Sequence, residues 1–199
     1  AGLGLWLPLQ QKKQTLHTRD GYMVAVLFWT ILALAGSLPL YLADVPDMSF
    51  TDAFFESISG LTTTGTTVLT GLDTLPKSIL FYRQQLQWLG GMGIVVLAVA
   101  VLPMLGVGGM QIYRTEAQGS MNSTKLTPRI KETARSLWFI YLALTLACGL
   151  CYWLAGMTLF DAIGHSFSTL STGGFSSHDQ NIAYFNSPLI ESICMFFML

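Results

Sequence analysis

Charged residues are scarce in this sequence. They make up 11% of the 199 residues, whereas hydrophobic residues make up 52% and the mean hydropathy is +0.52. Soluble domains carry roughly 25% charged residues, so the composition excludes an ordinary soluble domain and indicates an integral membrane protein. The sequence also lacks a basic patch interleaved with aromatic residues, which excludes nucleic acid as an expected partner.

Acids, histidines and nucleophiles are equally few within the apolar segments. A membrane-embedded enzyme needs several such groups at one depth, and Glu56 and His165 are almost the only ones. Cys148, Cys151 and Cys194 have no acid or histidine beside them, and we interpret them as small buried hydrophobic residues rather than a redox or metal site. We therefore predict a protein that is not an enzyme and that needs no cofactor.

Long apolar runs dominate what is present. About 20 apolar residues cross a hydrocarbon core of about 30 Å, which predicts three complete spans over residues 21–43, 84–113 and 136–160 and the start of a fourth over residues 186–199. Gly90, Gly91 and Gly93 in the second span allow another backbone to approach closely. We interpret residues 1–18 as the end of a preceding helix and a cytoplasmic connection, and we expect the chain to be an N-terminal part of a longer protein.

Lysine and arginine are distributed unevenly between the two sides of these spans. Eight of the ten lie before the first span or within the polar segment 114–135, and the other two are Lys77 and Arg83. Positive residues favour the cytoplasmic side, so residues 114–135 are predicted to form a cytoplasmic linker and Lys77 and Arg83 to lie at the outer interface. The result is a multi-pass protein of the cytoplasmic membrane.

A repeated unit lies between the spans. The stretch DAFFESISGLTTTGT, residues 52–66, has a second copy 109 positions later. Seven residues are shared by the two copies: Asp52, Ala53, Ser57, Ser59, Leu61, Thr63 and Gly65 match Asp161, Ala162, Ser166, Ser168, Leu170, Thr172 and Gly174. Non-helical backbone at membrane depth is tolerated only where it is buried in protein or faces water. We therefore predict two re-entrant hairpins along an ion path.

Each copy is predicted to begin with a short helix, over residues 49–60 and 161–170. About ten residues cover about 15 Å, half of the hydrocarbon core. With its N-terminus outside, such a helix points the negative end of its dipole at the membrane centre, which favours a cation. A single Thr- and Gly-rich stretch is more often an ordinary turn, but two copies in register favour a filter of backbone carbonyls.

The polar residues of the short helices have competing interpretations. Thr51 or Asp52 can cap the start of the first short helix, and Gly60 can end it. Asp52 and Asp161 are interpreted as helix caps rather than ion ligands. Glu56 could attract ions or hydrogen-bond the loop behind the filter. His165 stands at the position that matches Glu56, so a strictly symmetric role for Glu56 is not expected.

Three motifs together resemble the Trk/Ktr/HKT superfamily of potassium transporters: GLTTTGT at residues 60–66, QWLGGMGI at 87–94 and STGGFS at 171–176. The resemblance covers essentially the whole chain. It implies an all-α membrane protein of four K⁺-channel-like units, each a membrane helix, a re-entrant pore helix with a filter loop, and a second membrane helix. Residues 19–113 would be the first unit, and residues 136–199 most of the second.

The resemblance also implies the site. The filter residues would be Thr63, Thr64, Gly65, Thr66, Ser171, Thr172, Gly173 and Gly174. Dehydrated K⁺ would be held by the carbonyls of Thr63, Thr64, Gly65, Thr172 and Gly173, and a filter glycine in the first unit accompanies a preference for potassium over sodium. Ungapped alignment pairs Gly174 with Gly65, whereas a shift by one position would select Gly173, so both remain candidates.

The function predicted from the resemblance is potassium uptake across the bacterial cytoplasmic (inner) membrane. The alternative is a sodium-selective or sodium/potassium cotransporting relative of the same fold, and whether transport is a symport with protons or sodium is left open. The implied partners are the potassium ion, membrane lipid, a second copy in a homodimer, and a cytosolic nucleotide-binding regulatory ring, TrkA. Residues 114–135 are either part of the docking face for that ring or a solvated linker.

Overall fold

The computed structural model describes residues 18–43, 46–101 and 126–199, and these residues contain helices and no strand. The elements in order are α1 Thr18–Tyr41, α2 Phe50–Leu61, a 3₁₀ helix Leu72–Thr74, α3 Lys77–Val101, α4 Leu126–Leu154, α5 Leu159–Leu170, a 3₁₀ helix Asn181–Phe185 and α6 Pro188–Met198. The preceding helix predicted at the start, the end of the second predicted span and residues 114–125 of the predicted linker lie outside the described residues.

The described helices alternate between long and short. The long helices α1, α3 and α4 have 24, 25 and 29 residues, whereas α2 and α5 have 12 residues each. At 1.5 Å per residue, α2 and α5 are about 18 Å long, too short to cross a hydrocarbon core of about 30 Å. The first unit is therefore α1–α2–α3 and the second is α4–α5–α6, with α2 and α5 beginning 109 positions apart.

The apolar surface of the long helices is largely exposed. By length and composition, one stretch of the described residues, Glu132–Leu154 in α4, is long and apolar enough to cross a membrane. Only 17% of the residues in its most apolar part are buried. Ala25–Tyr41 and Pro188–Met198 are shorter apolar helices. Exposed apolar area of this extent is the surface that lipid or further membrane helices would cover.

Helix α3 is the wall that the two units share. It packs against α1 and α2 of its own unit and against α4 and α5 of the next, while α6 packs against α4 and α5. Each unit has its own apolar core, with Met48 and Ala53 buried in the first and the equivalent Met157 and Ala162 buried in the second. Cys148 is buried, as predicted, whereas Cys151 and Cys194 are only partly buried.

The two short helices begin with the same cap. Ser49 and Thr158 are the N-cap residues, and each hydroxyl oxygen accepts from the N–H of the aspartate three positions on, Asp52 or Asp161, at 3.2 Å. Each hydroxyl also donates to the carboxylate of that aspartate, at 2.7 and 2.6 Å. The prediction that Thr51 or Asp52 caps the first short helix is therefore wrong, as is the prediction that the two aspartates, Asp52 and Asp161, are the caps. Each is the third helical residue, where its charge faces the positive end of the helix dipole.

The end of the first short helix also differs from the prediction. Helix α2 continues through Gly60 to Leu61, so Gly60 does not terminate it. A Cβ atom at Gly60 would lie 3.0 Å from Cβ of Leu86 and 3.2 Å from the ring of Phe175. Glycine is placed here because other side chains approach the helix closely, not because the chain turns.

Candidate functional site

Two loops follow the short helices and leave them with the same conformation. The first loop is residues 62–68 and the second loop is residues 171–177. Thr63 and Thr172 have φ of 54° and 51°, and Gly65 and Gly174 have φ of 75° and 88°. Positive φ therefore recurs 109 positions apart, at the two threonines and again at the two glycines. Gly174, rather than Gly173, is the structural counterpart of Gly65.

The backbone hydrogen bonds of the two loops repeat with the same offset. The N–H groups of Thr62, Thr63 and Thr64 donate to the carbonyls of Ile58, Gly60 and Ser59, and those of Ser171, Thr172 and Gly173 donate to the carbonyls of Phe167, Thr169 and Ser168. These six bonds are 2.8–3.2 Å long. They use the N–H groups of both turns and leave the carbonyl oxygens to other partners.

The carbonyl oxygens fall into two groups. Three of the eight predicted filter residues have carbonyls that accept a side-chain hydrogen bond: Thr66 from Ser59 at 2.6 Å, Ser171 from Thr172 at 2.7 Å and Gly174 from Asn181 at 2.9 Å. Among the described residues, none donates to the carbonyls of the other five, Thr63, Thr64, Gly65, Thr172 and Gly173. These five are the residues for which the family resemblance implies K⁺ coordination.

The two loops lie against each other. A Cβ atom placed on Gly65 would lie 1.8 Å from the carbonyl oxygen of Gly173 and 3.5 Å from Cα of Gly174. The backbones are therefore in contact, which a filter shared by both loops requires. Thr64 and Thr172 are exposed in this chain. Gly173, by contrast, is buried. The two loops together form a polar region that follows the C-terminal ends of α2 and α5.

A buried ion pair supports the first loop from behind. Nε of Arg83 donates to Oε1 of Glu56 at 2.6 Å, and both side chains are fully buried. Glu56 also accepts from the hydroxyl of Thr67 at 2.8 Å and from the N–H of Val68 at 3.2 Å. Arg83 donates from Nη2 to Oγ1 of Thr67 at 2.9 Å. Of the two roles left open for Glu56, the contacts favour hydrogen bonding of the loop.

Arg83 contradicts the prediction that it lies at the outer interface. Helix α3 begins at Lys77, earlier than the apolar run that marked the predicted span. Arg83 consequently lies about 9 Å from the start of the helix, at 1.5 Å per residue. Its charge is neutralised by Glu56 and is not solvated by water. Lys77, in contrast, is exposed, with Nζ 5.3 Å from the ring centre of Phe160.

The second loop is supported by an imidazole instead of an ion pair. His165 occupies the position of Glu56; its Nδ1 donates to the carbonyl oxygen of Asp161 at 2.9 Å, and its Nε2 lies 3.0 Å from Oγ of Ser176. Ser176 is the counterpart of Thr67, 109 positions on. Both units therefore link the short helix to its loop at equivalent positions, by different chemistry.

Helix α3 also supports the second loop. Gln87 is fully buried, and its Oε1 accepts from the N–H of Phe175 at 3.0 Å. The Arg83 guanidinium lies over the Phe175 ring, with Cζ 4.3 Å from the ring centre. As predicted, glycines of α3 admit neighbouring backbone: a Cβ atom at Gly90 would lie 2.0 Å from the carbonyl oxygen of Leu61.

Sequence reasoning did not identify Gln87 and Phe175 as supports of the loops. One signal was available, because Arg83 and Gln87 lie four residues apart, and therefore on one face, in a helix that is predominantly apolar after Gln87. Polar side chains inside a membrane helix face the protein interior and find partners there. The partner of Gln87, the N–H of Phe175, is 88 positions away, and no local pattern announces it.

Polar contacts also join the two units near the N-terminal end of α5. Nδ1 of His178 hydrogen-bonds to Oδ1 of Asp73, and the N–H of Leu72 donates to Oδ1 of Asp179 at 3.1 Å. The hydrogen bond with His178 is the main cause that lowers the pKa of the Asp73 carboxyl below its ordinary value. These contacts connect residues more than 100 positions apart and hold the loop regions of both units together.

Comparison with known proteins gives consistent matches. The family model TrkH, described as a cation transport protein, matches residues 1–199. The Trk system potassium uptake proteins TrkH of Vibrio parahaemolyticus and Halomonas elongata are each 61% identical over 198 residues, which is 100% of this chain and 41% of each relative. The Trk system potassium uptake protein TrkG of Escherichia coli is 46% identical over the same length.

A solved structure matches as well. The crystal structure of the potassium transporter TrkH from Vibrio parahaemolyticus aligns with a TM-score of 0.83 and 57% identity, and covers 98% of this chain and 38% of that one. The predicted all-α membrane fold with repeated pore-helix units is thereby confirmed. The chain spans about two fifths of the length of the curated relatives it matches.

Proposed function

The chain belongs to the TrkH family of cation transport proteins, and we propose that the protein containing it takes up potassium across the bacterial cytoplasmic membrane. The names of its relatives, Trk system potassium uptake proteins, support this substrate. The observation that carries the proposal is the pair of adjoining loops. Their five carbonyl oxygens without a hydrogen-bond donor among the described residues belong to the residues predicted to coordinate K⁺.

We propose the following role for the loops. Carbonyls of Thr63, Thr64 and Gly65 in the first loop, and of Thr172 and Gly173 in the second, would replace part of the hydration shell of K⁺. The C-terminal ends of α2 and α5, where the helix dipole is negative, would favour the cation. Two further units of the same kind, which the resemblance implies, would complete the ring of ligands.

Transport of this kind needs no covalent chemistry and no cofactor. The membrane potential supplies about 2.3 kcal/mol per unit charge for each 100 mV, which is enough to drive uptake through a selective pore. The rigid supports behind each loop, Glu56 with Arg83 and His165 with Ser176, would keep the carbonyls at their spacing when an ion leaves.

The same proposal includes the implied assembly: a homodimer in the lipid bilayer, with the TrkA ring on the cytoplasmic face near residues 114–135. Charge reversal at Arg129 and Lys131 in the full-length protein should weaken ring binding in a pull-down with purified TrkA. Unchanged binding would favour a solvated linker instead.

Flux measurements test the substrate. Full-length protein reconstituted in liposomes should take up ⁸⁶Rb⁺ against an internal K⁺ load, and external K⁺ should compete far better than external Na⁺. Protein-free liposomes are the control. Equal competition by Na⁺ would identify the sodium-conducting alternative, and the absence of cation-dependent uptake would contradict a transport function.

A further inference from the structure

Arg83 contacts both loops at the same time. On one side it forms the ion pair with Glu56 and donates to Thr67 of the first loop. On the other side its guanidinium plane covers the ring of Phe175 in the second loop, with Cζ 4.3 Å from the ring centre. Arg83 and Glu56 are both fully buried, and Phe175 is 2% exposed.

The positions that Arg83 contacts lie next to the point where the loops touch. Thr67 is two residues after Gly65, and Phe175 directly follows Gly174. Gly65 in turn lies against the carbonyl of Gly173. A change in the position of the guanidinium would therefore shift one loop relative to the other at the carbonyls.

Stability alone is a poor explanation for this arrangement. Buried ion pairs are often no more stabilising than well-packed apolar residues of the same volume. One nitrogen of the guanidinium, Nη1, is buried and has no hydrogen-bond partner among the described residues, which is unfavourable. A planar group that hydrogen-bonds along its edge and stacks through its face can, however, fix two surfaces relative to each other in a way that lysine cannot.

We propose that Arg83 is a positioning residue for ion selectivity, which sets the spacing of the two loops by pairing with Glu56 and Thr67 on one side and stacking on Phe175 on the other. The inference rests on the proposed potassium transport and adds a determinant of its selectivity. Arg83 itself does not touch the ion. Its net charge with Glu56 is zero, so its influence on the carbonyls is geometric.

The test uses three variants of the full-length protein: Arg83→Lys, Phe175→Leu and the double variant. Arg83→Lys keeps a buried cation for Glu56 but loses the planar stack and the fixed fork of donors. Phe175→Leu keeps apolar volume and loses the ring. The matched control is Phe139→Leu, because Arg135 lies over the Phe139 ring at 5.6 Å in α4, away from the loops.

The readout is the Na⁺/K⁺ permeability ratio from reversal potentials in planar bilayers. This ratio does not depend on the number of active molecules, so a partial loss of folded protein does not affect it. Each single variant should raise the ratio by roughly threefold or more, the factor that results when the energy of an ordinary cation–π contact is lost in full from the discrimination between the two ions. The double variant should be no worse than the more affected single variant, because both changes remove the same stacking contact between Arg83 and Phe175. Phe139→Leu should match the wild type.

Results that would overturn the role of Arg83 can be distinguished from a result that would overturn potassium transport. If Arg83→Lys does not fold, Phe175→Leu alone decides the matter. A wild-type ratio for Phe175→Leu, with or without reduced yield, overturns the role of Arg83 in selectivity while potassium transport stands. Effects that multiply in the double variant also overturn it, since they imply independent contacts. A wild-type protein that does not discriminate K⁺ from Na⁺ overturns the proposed function itself, and this assignment with it.

Discussion

The Gly65→Ala substitution is the sharpest probe of the contact between the two loops. The added Cβ atom would lie 1.8 Å from the carbonyl oxygen of Gly173, where ordinary contact begins at 3.4 Å. One loop must therefore move by about 1.5 Å, and overpacking of this kind costs about 1–3 kcal/mol. The φ of 75° adds about 1–2 kcal/mol for a residue with a Cβ atom. Displacement of a carbonyl proposed as a ligand should also weaken discrimination between K⁺ and Na⁺, and Gly65→Ser should do the same.

Two other glycines separate backbone strain from the clash. Gly71 has φ of 70°, and its added Cβ atom would meet only Oγ1 of Thr74 at 3.6 Å; Gly174 has φ of 88° and no described atom within 4 Å of that position. Gly71→Ala should lower the thermal stability by the φ contribution alone and leave the permeability ratio unchanged. Gly174→Ala places the same strain inside the second loop without the clash.

The assay combines thermal unfolding of full-length protein in detergent with reversal potentials in planar bilayers. Gly65→Ala should lose more stability than Gly71→Ala and should alone of these two raise the Na⁺/K⁺ permeability ratio. If Gly65→Ala kept the wild-type ratio, the contact between the loops would have no bearing on selectivity. If it lost no more stability than Gly71→Ala, the close contact itself would be refuted.

Three further predictions concern contacts within and between the two units. Glu56→Gln leaves Arg83 as an uncompensated buried charge and should destabilise the protein by about 3–5 kcal/mol; Glu56→Gln with Arg83→Met should recover most of that loss in thermal unfolding, and a single variant with wild-type stability would contradict the buried pair. Gly90→Ala should cost about 1–3 kcal/mol by forcing α3 away from the end of α2, which an unchanged unfolding temperature would refute. Folding lowers the pKa of Asp73 through the hydrogen bond with His178, so the Asp73 carboxylate stabilises the fold above its ordinary pKa of 3.8, and this stabilisation is lost as the pH falls below that value. The unfolding temperatures of wild type and Asp73→Asn should therefore converge in acid. A difference that does not depend on pH would contradict the contact.

The repeat is the part of the fold that the sequence predicts best. An offset of 109 residues between two Thr- and Gly-rich stretches is maintained in the helix bounds, the N-caps, the backbone hydrogen bonds and the positive φ angles. The matching residues adopt the same backbone conformation because the turn after each short helix is formed by local hydrogen bonds at equivalent positions. The choice between Gly173 and Gly174 needed the φ angles, because adjacent glycines look equivalent in a sequence.

Tertiary pairing accounts for what the sequence does not predict. The charge of Arg83 suggested an exposed outer position, but Glu56, 27 residues earlier, neutralises it inside the protein. An apolar run also marks only the lipid-compatible part of a helix, so α3 began earlier than expected, at Lys77. The aspartates that looked like caps lie three positions after the true caps, Ser49 and Thr158, because serine and threonine are also favoured at the N-cap position.

The position of the bound ion would show directly whether the carbonyls of the two loops are its ligands. Crystals of the full-length protein grown with Rb⁺ in place of K⁺ would give anomalous scattering peaks that mark each binding site. We expect a peak within coordination distance of the carbonyl oxygens of residues 63–65 and 172–173, beside the contact between the two loops. Peaks only elsewhere, with none beside these five carbonyls, would contradict it.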